Sequence, residues 1–339
     1  MYLNYNISKA LLLLIATDLF IIVVAGMQSA TAIINPFLLA VFLATLCSPL
    51  LDGLRRLGLP NGVAVGLIVL GLLVLAVLLM IFVGRSVNTL ARELPLCQER
   101  LADFFNKAGV WLGQLGIDIF NTPLTDHISP GKIMSVVSYG LTLFRGLFTN
   151  MFLILLTVLF ILLEASSFPR KIQEASADPE RGLGHFKAMT ANINRYMGLK
   201  ALFSLATGLA LWILLALIGV DFAGTWALLA FFLNFIPSIG SIIAAIPAIF
   251  WALIQLGLPS AVLTLLAYLV VNVAIGNFLE PKFMGRKLGL SPLVVFLSLI
   301  FWGWVLGPVG MVLSVPLTMI AKIALASSED TRWIAVMLE

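Results

Sequence analysis

Charge is scarce in this chain. Only 11% of its 339 residues are Asp, Glu, Lys or Arg, while 61% are hydrophobic. A soluble domain carries about a quarter charged residues, so a water-facing globule is excluded. Histidine is scarcer still: His127 and His185 are the only two, and they share no motif. The two cysteines, Cys47 and Cys97, stand in unlike surroundings and make no CxxC or zinc spacing. HExxH, GxSxG and P-loop patterns are missing, so the expectation is a non-enzyme with no metal and no cofactor. Basic runs and aromatic–basic interleaving are missing too, which argues against a nucleic-acid partner despite a net charge of +4.

Long apolar runs are what the chain has instead, with a mean hydropathy of +1.10. Several reach the roughly 20 residues that cross a ~30 Å hydrocarbon core, so the partner is a lipid bilayer and the fold class is an all-α polytopic membrane protein. Six full spans are expected, at 9–26, 33–51, 63–84, 147–164, 199–219 and 259–279. The start imitates a signal peptide, with Lys9, an apolar run from Ala10 and then SATA at 29–32. Asp18 in mid-run and a second span close behind favour a retained first helix. The chain divides into helices 1–3 (1–84), an extramembrane amphipathic helical arm (85–146), span four with a cytoplasmic helical linker (147–200), a core with two interrupted hairpins (201–325) and a cytoplasmic tail (326–339).

Lys and Arg set the orientation. With a cytoplasmic N-terminus, the inside collects Lys9, Arg55, Arg56, the basic residues between 170 and 200, Lys282, Arg286, Lys287, Lys322 and Arg332. The short outside links 27–32, 220–223 and 257–259 hold none, as the positive-inside rule requires. Both termini then lie in the cytoplasm, and region 222–257 must start and end outside. Each of its arms is about 15 residues, or roughly 22 Å of helix, too short to span.

That region contains NFIPSIGSIIAAIP at 234–247. Pro237 and Pro247 remove backbone donors, Gly240 loosens the chain, and Asn234, Ser238 and Ser241 add hydrogen-bonding side chains. A broken helix in hydrocarbon survives only where protein or a watery cavity satisfies the freed backbone groups. A kink at a helix–helix contact is the plain alternative. Region 293–325 is also expected to break centrally, at WGWVLGPVG (302–310), and to start and end inside. Two broken-helix hairpins of opposite orientation follow, their tips sharing a wet pocket. A shift of 70 residues matches Gly219 to Gly289, Leu229 to Leu299, Phe231 to Phe301 and Gly240 to Gly310. Inverted repeats with broken helices are how many secondary transporters build a substrate site.

Further signals stand beside plainer readings. Apolar or small residues at Val83, Val87, Leu90, Leu94, Cys97, Leu101, Phe104, Ala108, Trp111 and Leu115 step by four and three, a heptad seam. It packs either on its own hairpin or on a neighbouring subunit. Pro95 is expected to kink or divide it, and Ser129–Pro130 to open a second helix. Asp18 lies mid-span, so it should face the protein interior or a cavity, as a functional group or as a structural partner. Glu164 and Lys322 are expected at the membrane interface. Thr264, Tyr268, Asn272 and Gly276 recur every four residues ahead of Asn277 and Glu280, as a packing face or as the wall of a polar route.

Three pieces together carry a resemblance: LNFIPSIGSIIAAIP (233–247), GNFLEPKFMGRKLGLSPLVVFLSLIFWGWVLGPVGMVLSVPLT (276–318) and LLTVLFILLE (155–164). The chain resembles the autoinducer-2 exporter family of bacterial membrane proteins over nearly its whole length. The resemblance implies a multi-pass inner-membrane carrier, oligomeric and associated with pentamers, exporting the small polar quorum-sensing signal autoinducer-2. It also admits sodium or lithium/proton antiport, which other family members resemble. Candidate substrate-binding residues are Asn234, Pro237, Ser238, Gly240, Ser241, Asn272, Asn277, Glu280, Gly307 and Gly310, with Asp18 and Glu280 as ion-coupling candidates. A scaffold without transport, assembled through the heptad arm, is the third reading.

Overall fold

The computed structural model describes residues 9–114, 150–165, 167, 171, 173–174, 179–237, 239–284, 289–326, 329 and 331–338. Among these residues the chain is helical and contains no strand. In chain order the helices are α1 (Lys9–Ser29), α2 (Thr31–Arg56), α3 (Asn61–Gln114), α4 (Met151–Glu164), α5 (Pro179–Ile218), α6 (Ala223–Leu233), α7 (Gly240–Leu256) and α8 (Leu258–Val271). A π-helical segment, Asn272–Leu279, joins α8 to α9 (Glu280–Met284); α10 (Pro292–Leu306), α11 (Pro308–Ala326) and α12 (Arg332–Met337) complete the chain.

Among the described residues, five helices are long and apolar enough to cross a membrane: Thr31–Arg56, Asn61–Leu90, Thr190–Ile218, Leu258–Phe283 and Pro308–Ala326. Expected span one is covered by α1, and of expected span four the described residues hold Met151–Glu164 in helix. Large apolar side chains such as Ile22, Phe152, Leu217 and Phe278 stand exposed along these helices. Water would penalise that arrangement, and hydrocarbon does not.

One proline expectation is corrected. Pro95 does not divide the arm, because α3 runs unbroken from Asn61 to Gln114. The expected Ser129–Pro130 helix start lies outside the described residues. Pro247 and Pro316 sit inside α7 and α11 and end neither helix. A proline removes one intrahelical bond, and a helix otherwise well packed tolerates the kink. The expected linker helix and span five also merge, as the single 40-residue helix α5.

The chain forms two compact units, Met1–Leu43 with Gly289–Glu339, and Ala44–Leu288. In the larger unit, α5 packs on α6 and α8, and α7 packs on α6 and α8. Its core gathers Leu211, Leu215, Trp226, Ala230, Ala244, Ala248, Trp251, Ala252, Tyr268 and Val271. The approach of α5 to α6 is close: a Cβ at Gly208 would lie 3.2 Å from the Ala227 carbonyl oxygen. The smaller unit packs α10 against α11 and α1, around Val24, Val305 and Leu306.

Both interrupted regions break, the first across residues 234–239 and the second at Gly307, where φ is +67°. The matched glycines do the same work in each. A Cβ on Gly240 would sit 1.8 Å from the Leu233 carbonyl oxygen, and one on Gly310 would sit 1.9 Å from that of Trp302. The second arm therefore folds back against the last turn of the first at a place only glycine fits. Gly219 and Gly289 precede the first arms with φ of +87° and +61°. Each carbonyl accepts a side-chain N–H from the end of the second arm: Gln255 Nε2 reaches Gly219 at 3.3 Å, and Lys322 Nζ reaches Gly289. The outer ends of each interrupted pair are thus tied together.

Candidate functional site

Helix α5 buries a polar face. Tyr196, Lys200, Ser204 and Thr207 step by four, four and three, so they share one side of the helix with the core residues Leu211 and Leu215. Lys200 Nζ lies 2.6 Å from Glu280 Oε1, with the two side chains only 7% and 14% exposed. One turn further on, Asn234 Nδ2 donates to Ser204 Oγ at 3.0 Å, and Ser204 has no exposed surface. The break after α6 is therefore anchored to the same face of α5 that holds the ion pair.

Opposite stands the stripe on α8 and its π continuation, both of which contact α5. Thr264 and Tyr268 are buried, and Asn272 and Gly276 are half-buried. Four-residue steps overshoot an α-turn of 3.6 residues, so the stripe drifts. The π segment, Asn272–Leu279, has a wider turn that undershoots the same step and turns the drift back toward Glu280. Gly276 lets the Asn272 side chain lie close, since a Cβ there would meet Asn272 Oδ1 at 2.9 Å and push that amide aside. Glu280, Asn272 and Asn234 are thus brought into one unit on elements that touch. Asn277 is exposed and lies off this lane.

The tip of the first break is more closed than expected. Unpaired donors and acceptors were anticipated between Pro237 and Ser241, yet the described backbone there is largely bonded. Ile236 N–H donates to Leu233, Ile239 N–H to Pro237 at 2.6 Å, Gly240 N–H to Ile236 at 3.3 Å and Ile243 N–H to Ile239. Tight local turns replace the lost helical bonds, as they do at many helix ends. Pro237 and Ser241 are half-buried, Gly240 is buried, and Ser238 lies outside the described residues. In the smaller unit the carbonyls freed before Gly307 are taken by side-chain amides. Gln28 Nε2 donates to Trp304 O at 3.2 Å, and Asn35 Nδ2 to Leu306 O at 3.1 Å. Gly307 is half-buried and Gly310 buried, and both shape backbone. Asp18 sits on an exposed face of α1 beside Leu19, Phe20 and Ile22, not toward the interior of the single chain. Glu164 is exposed and pairs with Lys171. Among the described residues no three His, Cys, Asp or Glu side chains gather as a metal site.

Lys200 and the α5 face are what sequence reasoning missed. Lys200 was counted only as an inside charge flanking a span, and its spacing from Tyr196 and Ser204 was the available signal.

Comparison with known proteins fits this arrangement. Residues 11–330 match the family described as AI-2E family transporter. The chain belongs to that family. It is 42% identical over 330 residues to the AI-2 transport protein TqsA of Escherichia coli K12, covering 97% of this chain and 96% of that protein. A putative transport protein of Haemophilus influenzae is 39% identical, with 99% and 97% covered. The putative transport protein YhhT of E. coli K12 is 35% identical, with 94% and 91% covered. This member of the AI-2E family is thus a multi-pass membrane protein with a transport role.

Proposed function

We propose that this AI-2E family member exports autoinducer-2, or a similar small oxygen-rich polar molecule, across the bacterial inner membrane. It does so without catalytic chemistry, with both termini cytoplasmic, and as a homo-oligomer; the family resemblance suggests a pentamer. The buried polar lane of the larger unit supports this reading most directly. Lys200–Glu280 and Ser204–Asn234 are polar pairs inside an otherwise apolar bundle, and intramembrane groups of this kind mark substrate pathways. Amides and hydroxyls at Asn234, Ser204 and Asn272 suit a neutral, hydroxyl-rich ligand. The likeness to the AI-2 transport protein TqsA points the same way.

Sodium or lithium/proton antiport is the second reading, and one observation favours it. Glu280 is a buried carboxylate whose counter-ion, Lys200, is internal, so a transported cation could compete for it. Asp18, exposed on α1, is the weaker exchanger. Purified protein in liposomes separates the two. Export predicts autoinducer-2 flux above protein-free vesicles with no need of a sodium gradient. Proton movement driven by sodium, with no signal flux, would overturn the first reading in favour of the second. Neither flux would leave the scaffold.

A further inference from the structure

Among the described residues of the larger unit, three buried side-chain groups have no hydrogen-bond partner: Trp251 Nε1, Thr264 Oγ1 and Tyr268 OH. Trp251 and Tyr268 are each 5% exposed and Thr264 is fully buried. Other indoles are served: Trp226 Nε1 donates to Asp221 O at 3.1 Å, and Trp302 Nε1 to Thr318 Oγ1 at 3.0 Å. Buried polar groups are rarely left alone, and each exception calls for a cause.

All three lie on the α7–α8 pair, which turns at Gly257 with φ +87°. Counting outward from that turn sets Trp251 level with Thr264, and Tyr268 lies one helical turn beyond Thr264. The buried faces of the two helices are otherwise small: Ala244, Ala248 and Ala252 on α7, Ala261 and Ala267 on α8. Aromatic rings stand around them, with Phe222 edge-on to Trp251 at 5.4 Å and Trp226 at 6.4 Å.

We infer that the α7–α8 seam is a binding subsite for a small neutral polyhydroxy molecule, held by Trp251 Nε1, Thr264 Oγ1 and Tyr268 OH against aromatic and alanine walls. Two hydroxyls that both donate and accept, with one indole donor, match a ligand bearing several oxygens and no charge. The inference rests on the export reading and names the part of the lane that grips the substrate.

Isosteric deletion is the test. Thr264→Val and Tyr268→Phe each remove a polar group without opening a large cavity. In liposomes carrying the full chain, each variant should raise KM for autoinducer-2 by about tenfold, the factor equivalent to 1.4 kcal/mol. Thermal unfolding should hold or improve, since an orphaned group has gone. Flux parameters matching wild type would overturn the inference, whether the seam is dry or merely holds a water. Should a variant not fold, binding to wild type decides: autoinducer-2 must raise its unfolding temperature, and no shift refutes the subsite. A wild-type chain that moves no autoinducer-2 defeats the export reading instead. The seam is then tested with ribitol, a neutral pentitol, which must protect wild type but not Tyr268→Phe; no protection, or equal protection, refutes it.

Discussion

Lys200 and Glu280 offer a double-mutant test whose two outcomes differ by several kcal/mol. At 2.6 Å the attraction of unit charges is about 6 kcal/mol for an effective dielectric constant near ~20. Against it stands the cost of dehydrating both ions, several kcal/mol each. Side chains 7% and 14% exposed recover little of that from water. The pair as a whole is therefore nearly neutral for stability, while either charge left alone is not. Lys200→Met or Glu280→Leu should each cost about 3–5 kcal/mol, and the double variant should return to within about 1 kcal/mol of wild type. Equilibrium unfolding in mixed detergent micelles, followed by far-UV circular dichroism, reads all four proteins of the cycle. Single costs below about 1 kcal/mol, or costs that simply add in the double variant, would refute the reasoning, because additivity means no interaction.

Three other outcomes follow from the same geometry. Gly240→Ala and Gly310→Ala force a Cβ to 1.8 and 1.9 Å from a carbonyl oxygen. Each should lose about 3 kcal/mol or more in the same unfolding assay, beyond ordinary overpacking. Ser204→Ala strands the buried Asn234 amide and should cost about 1–3 kcal/mol. Asn272→Ala should slow autoinducer-2 flux while gel filtration shows unchanged assembly; equal loss of folded protein would make Asn272 a packing residue.

The breaks were legible because proline and glycine announce them. IPSIG and LGPVG both end a helix where the sequence says, and the 70-residue comparison picked out two glycine pairs with matching backbone roles. Proline alone is a weaker signal, since Pro95, Pro247 and Pro316 all sit inside helices. A packed helix absorbs one missing hydrogen bond, whereas a Cβ inside a carbonyl oxygen has no remedy. The stripe from Thr264 to Gly276 was legible by spacing. The π segment that turns it toward Glu280 was not, because no residue type marks one. Lys200 was hidden for an electrostatic reason: a lysine at the expected cytoplasmic end of a span satisfies the positive-inside rule and invites no further search. The partner that makes it structural lies 80 residues away. Trp251 was passed over because an indole in an apolar run reads as core.

The most direct measurement is autoinducer-2 flux in liposomes for wild type beside the Lys200→Met/Glu280→Leu double variant, which should keep its fold. If the buried lane carries substrate, wild type shows saturable flux and the double variant loses at least about tenfold, a barrier change near 1.4 kcal/mol. Equal flux in a variant with the lane's charges removed would contradict the account.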